Sequence, residues 1–184
     1  MENLNKANET LNKLKDSDVR IIYLPPMTVA AAPSLVDEGK PTYIIEKFVR
    51  ETGLLKTKPD ARGMLTFNCS GDDLKVEHVL IAHEVLVTIP DDMEVKTPLT
   101  KKTFEGGLYA AHTLKNFTED WWHFLAEWVN TSEKYEISYG RSWFEEILNF
   151  YNFLPNYEEV DKANRAAILE DIQVDLLLPI KKIS

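Results

Sequence analysis

The chain carries a single cysteine, Cys69. No intramolecular disulfide can form, which suits a reducing compartment. No triad pattern surrounds Cys69, so it reads as inert. No apolar stretch approaches the roughly 20 residues that cross a bilayer. The opening "MENLNKANET" has no basic region followed by an apolar core, so it reads as free of a secretory signal. A soluble cytoplasmic protein without membrane contact is expected. Histidines are sparse and scattered (His78, His83, His112, His123). With no HExxH and no histidine pair at helical spacing, neither a metal site nor a cofactor is expected. Gly106 and Gly107 lack phosphate-loop spacing and read as a bulge or a close strand contact. Positive charge is also short: the formal net charge is −9. Such a surface repels phosphate backbones, so direct DNA binding is not expected.

What remains is a globular mix, 44% hydrophobic and 28% charged over 184 residues, enough for a real core. Residues 1–18 are polar with a thin stripe of Leu4, Leu11 and Leu14, and read as an extension. "VRIIYLPPMTVAAA" reads as a strand, and Pro25 and Pro26 place it at an edge or on a bulge. "PTYIIEKFVRETG" predicts a helix capped at Thr42, apolar at Ile44, Ile45, Phe48 and Val49, and stopped by Gly53. "GMLTFNC" and "VLIAHEVLVTI" read as strands, and "PDDMEVKTP" as a turn-rich link. "TFEGGLYAAHTL" predicts a strand. "FTEDWWHFLAEWVN" predicts a helix with Thr118 as N-cap and Trp121, Leu125 and Trp128 on its buried face. "YEISY", "WFEEILNF" and "IQVDLLLPIKK" read as extended, and residues 155–171 as a charged insertion.

Both parts of the chain thus run strand, helix, strand, strand. "VAAAPSL" from Val29 also overlays "LYAAHTL" from Leu108. The expectation is an α+β fold of two pseudo-repeated halves, about 19–90 and 100–184, forming one antiparallel sheet with both helices on one face. A ligand cleft is expected at the seam between the halves. Strand alternation in "WFEEIL" puts Trp143, Glu145 and Ile147 on one face and Phe144, Glu146 and Leu148 on the other. An acid on the inner face needs a hydrogen-bond donor, an arginine or a ligand cation, because an unpartnered buried carboxylate costs several kcal/mol.

The ordered set "DVRIIYLPPMTVAA", "VTIPDDMEV", "KKTFEGGLYAAH", "LAEWV", "WFEEIL" and "IQVDLLLPIK" resembles the effector-binding domain of AraC-type and MerR-type bacterial transcription regulators. It also resembles stand-alone proteins of the GyrI-like group. The resemblance covers about Asp18 to Lys182 and implies a central pocket for amphipathic, cationic or lipophilic small molecules, with multidrug binding in view. It implies that Glu145 is the charge partner at the pocket base. The expected ligand-contacting set is Glu145, Trp143, Tyr109, Trp121, His83 and Tyr139. His83, Val85 and Leu86 stand where relatives carry aromatics, and the insertion at 155–171 is placed to cover or reshape the site. The DNA-reading half of such regulators is not expected within this chain, since 18 residues precede the first strand.

Three functions follow from the resemblance. The first is a small-molecule binding or sensing module. The second is a hydrolase of reactive small molecules, with Glu145 as general base and Tyr109 as hydroxyl donor. The third is a protein-interaction module with a regulator or gyrase as partner, which an acidic surface suits.

Overall fold

The computed structural model describes residues 14–33, 40–67, 84–115, 120–148 and 172–183. A 3₁₀ turn at Asp16–Asp18 leads into β1 (Arg20–Leu24) and β2 (Met27–Pro33). Helices α1 (Lys40–Thr52) and α2 (Leu54–Thr57) follow, then β3 (Gly63–Phe67) and β4 (Glu84–Thr88). The second part holds β5 (Thr100–Phe104), β6 (Gly107–Lys115), α3 (Asp120–Asn130), β7 (Tyr135–Ile137), β8 (Trp143–Ile147) and β9 (Gln173–Lys182). The architecture is α+β. The strands run antiparallel in the order β1-β6-β9-β8-β3-β4-β2-β5, with β7 added to β9.

The proline pair does not bulge one strand; it divides two. β1 lies at one end of the sheet order and β2 beside the other end. Proline lacks the N–H a ladder needs, so the chain turns at Pro25–Pro26 and resumes pairing with a different neighbour. The opposing chain turns at Glu105–Gly106. Leu24 lies opposite Gly107, and Met27 lies opposite Phe104, so one register runs through both ladders. The pairs β1–β6 and β2–β5 are therefore two stretches of a single bent ribbon. The bend carries the sheet's ends toward its middle: the Phe104 ring of β5 meets Phe144 of β8 edge-on at 5.2 Å. Gly106 is needed at this bend because a Cβ there would lie 2.3 Å from the Leu24 carbonyl oxygen.

Pairing follows the internal overlay. Carrying Val29 onto Leu108 moves the pair Ala30–Lys101 onto Tyr109–Ile22. The same shift moves Leu65–Glu145 onto Phe144–Thr66. A pseudo-two-fold axis thus passes between β3 and β8, the midline of the sheet.

Both long helices cover one face. On α1, Ile45 and Val49 pack on Ala30, Ala32, Val85 and Val87, and the helix ends at Gly53, whose φ of 61° a residue with a side chain resists. Thr42 falls inside the first turn rather than at the cap position. On α3, Trp122, Leu125, Ala126 and Val129 are buried against Ala110, Leu176 and Leu178. This inward stripe is one residue round from the Trp121–Leu125–Trp128 face read from the sequence. Trp121 and Trp128 are half-buried at its margins. Margins suit wide indoles that have a neighbour: Trp121 stacks on His112 at 5.1 Å, and the Trp128 N–H donates to Asp16 at 3.0 Å. The helix-free face has its own apolar cluster, centred on Met64, Leu86, Tyr109, Phe144 and Leu177. Thr118, Cys69, the His78 and His83 positions and the 155–171 insertion lie outside the described residues.

Candidate functional site

β8 is one of the two midline strands, and it presents its two adjacent acids to opposite faces. Glu145 faces the helices. Its cross-strand neighbours are Leu65 on β3 and Leu176 on β9, both apolar. Along β8, Trp143 and Ile147 flank it on the same side. Leu65 packs with the α3-side core and Ile147 with the α1-side core, so the carboxylate sits where the two helix-covered cores meet. It is 8% exposed, and the Trp122 indole N–H donates to its Oε1 at 3.1 Å. The Trp122 and Trp143 rings lie 5.2 Å apart, tilted by 39°. Trp143 is fully buried, and its own N–H has no hydrogen-bond partner among the described residues.

Glu146 points the other way and is held by Arg62. The Arg62 Nε donates to one carboxylate oxygen at 2.5 Å, and its Nη2 donates to the second. This hydrogen bonding raises the Arg62 pKa, with burial opposing it. Asp175, opposite Glu146 on β9, accepts from Arg20 at 2.6 Å and from the Thr113 hydroxyl at 2.6 Å. Two like charges directly across a ladder repel. Here each has its own arginine.

The expected site residues are divided by the sheet. Glu145, Trp143 and Trp122 share the helix side at the seam. Trp121 is half-buried over His112 of β6, two strands away from β8. Tyr109 is on the helix-free face, packed on Phe144 at 5.9 Å, and its hydroxyl donates to the Ser142 carbonyl at 3.3 Å. Burial pushes its phenol pKa up, while the nearby Arg141 charge pulls it down. Glu145 and Tyr109, the base and donor of the hydrolase expectation, are thus not brought together. Tyr139 is 52% exposed in the β7–β8 turn, away from both. His83 lies outside the described residues. Trp122 was not among the expected ligand contacts, although the need for a donor to Glu145 was, and a stripe through Trp122 and Leu125 would have found it. Among the described residues no group of three or more His, Cys, Asp or Glu side chains is placed to hold a metal. No helix among them is long and apolar enough to cross a membrane.

Residues 20–180 match the Cass2 family, integron-associated effector binding protein. No curated protein matches the chain. The crystal structure of the EcmrR C-terminal domain superposes with a TM-score of 0.55 at 12% identity, covering 90% of this chain and 98% of that one. EcmrR in its DNA complex gives 0.58 at 12% identity over 98% of this chain, which spans 65% of that longer protein. A hydrolase from Listeria innocua gives 0.55 at 10% identity, covering 96% and 98%. At such identities these likenesses concern the fold, and they agree with the GyrI-like resemblance read from the sequence. With the match spanning nearly its whole length, the chain belongs to the Cass2 family of integron-associated effector-binding proteins.

Proposed function

We propose that this protein binds an amphipathic small molecule, cationic or lipophilic, at the seam between the two helix-covered cores, with Glu145 as its charge partner. The observation that carries the reading is a carboxylate 8% exposed, bounded by Leu65, Leu176 and two indoles, at the pseudo-two-fold midline of an effector-binding fold. A neutral ligand gains only transfer free energy from such walls. A lipophilic cation also gains from the carboxylate and from the aromatic faces, each worth about 0.5–2 kcal/mol once water is excluded. The Trp122 N–H donates to Oε1 at 3.1 Å and helps to orient the carboxylate. Selectivity for cations over neutral molecules of the same shape follows from that charge.

The test is a titration followed by tryptophan fluorescence, with tetraphenylphosphonium as the cation and triphenylphosphine oxide as the neutral counterpart. Glu145→Gln should weaken the cation about tenfold or more, equivalent to about 1.4 kcal/mol, and leave the neutral molecule unchanged. Equal cation affinity in both proteins would remove Glu145 from the role. Turnover of an electrophilic substrate by the wild type, lost in Glu145→Gln, would favour the hydrolase instead.

A further inference from the structure

The helix-free face has a pocket of its own. It measures about 180 Å³ and opens where the bent ribbon turns. Leu24, Met27 and Phe104 contribute apolar walls, and Tyr109, Arg141 and Glu105 line the remainder. It lies across the sheet from Glu145.

Arg141 is its unusual member. The guanidinium carbon stands 4.9 Å from the Tyr109 ring centroid. The Nε donates to the Ser138 hydroxyl at 3.3 Å, and Nη1 donates to the Gly106 carbonyl at 3.3 Å. Nη2 donates to the Leu108 and Ile180 carbonyls at 2.9 and 2.7 Å. All four acceptors are neutral. Among the described residues no carboxylate forms an ion pair with Arg141, and Glu105, exposed on the same pocket, does not either. In a chain with 30 acids and 21 lysines and arginines, a half-buried guanidinium left without a carboxylate is out of pattern. Arg62 and Arg20 on this same face each have one. Carbonyl dipoles orient a cation without cancelling its charge, and a guanidinium has five N–H groups, one of which is left over on Nη1.

The backbone is shaped around this group. A Cβ on Gly107 would fall 1.9 Å from Arg141 Nη1, and Gly107 has a φ of 141° that side chains avoid. The "EGG" stretch thereby gains a reason: one glycine permits the ribbon bend, and the next admits the guanidinium.

We propose that this pocket is a second binding site, for a small single-ring carboxylic acid. Its carboxylate would take the remaining Nη1 donor and the uncompensated charge, and its ring would lie among Tyr109, Phe104 and Met27. At about 180 Å³ the pocket is smaller than those that take drug-sized molecules, which run from about 300 Å³ upward. With one free N–H the contact is a single charge-assisted hydrogen bond rather than a fork.

The test uses the full chain labelled with ¹⁵N and titrated with benzoate, with benzamide as the neutral isostere and inorganic phosphate as a bare anion. Benzoate should give saturable shifts in the amide signals of residues 103–109 and 140–142, with affinity at least about tenfold above benzamide. Arg141→Gln should bring benzoate down to the benzamide level. Because that change also removes hydrogen bonds joining β6, β9 and the β7–β8 turn, Met27→Trp serves as the second variant. It fills the pocket without touching any Arg141 hydrogen bond, and should abolish the benzoate shifts while the rest of the spectrum is kept. The proposal is overturned if benzoate and benzamide bind alike, if phosphate binds as tightly as benzoate, if the shifts map elsewhere, or if Met27→Trp still binds.

Discussion

Glu145 and Glu146 are successive residues on one five-residue strand, both close to fully buried, yet they face opposite sides of the sheet and different cross-strand neighbours. Glu146 is clamped at two points by Arg62, with Asp175 and its own arginine alongside. Glu145 meets leucines, an indole N–H and a second indole. The first is an acid whose charge is cancelled inside the protein. The second faces the helix side, where a neutral indole N–H donates to it. Strand alternation makes the separation possible, since one residue of travel crosses the sheet.

The largest effect should come from Arg62→Ala, which strands the Glu146 carboxylate. A loss of about 3 kcal/mol is expected in urea unfolding, with cation affinity of the folded protein unchanged. The double change Arg62→Met with Glu146→Met should recover most of that loss, because it removes both charges together. If Arg62→Ala weakens cation binding instead, the two faces are coupled and the contrast fails. Trp122→Phe comes next. It deletes a hydrogen bond to a charged group, worth about 2 kcal/mol, and should lower both thermal stability and cation affinity, since the same N–H sets the Glu145 rotamer. Glu145→Gln should sharpen the contrast from the opposite side. The amide oxygen can still accept from Trp122, so stability should shift by less than about 1 kcal/mol in the same unfolding assay, while cation binding falls.

The smallest effect concerns Tyr109 and alkaline pH. Burial holds its pKa above the ordinary 10.0. An acid whose folded pKa is raised keeps its proton in the native state after the unfolded chain has released it. Its contribution is therefore complete below about pH 10 and lost as pH climbs through the folded value. Tyr109→Phe should move the alkaline unfolding midpoint upward, measured by circular dichroism. An unmoved midpoint would mean another group governs that limb.

The parts of this picture legible in the sequence are those set by local periodicity. The opposite facing of Glu145 and Glu146 follows from a two-residue repeat, and the inward face of α1 follows from Ile45 and Val49. The α3 face was displaced by one residue because Trp121, Trp122 and Trp128 are equally apolar, and only the third dimension says which N–H finds Glu145. Arg62 and Arg141 were invisible for another reason. Arg62 reaches Glu146 across 84 positions of chain, and Arg141 reaches Gly106 across 35. Spacing rules do not extend to such distances. The proline pair was legible as an interruption, but its actual work, exchanging one sheet neighbour for another, depends on the turn at Glu105–Gly106 between the facing strands β5 and β6.

That exchange means neither half of the molecule is self-sufficient. The strand that completes the margin of the second half is translated first, and the strand that completes the first half is translated only after β4. A nascent chain ending near Ile89 would hold β1 with nothing to lie against and β2 with an open flank. Severing the chain between β4 and β5 would yield two fragments that each display the other's missing border, so that recombination in a test tube, rather than separate refolding, is the route back to the native assembly.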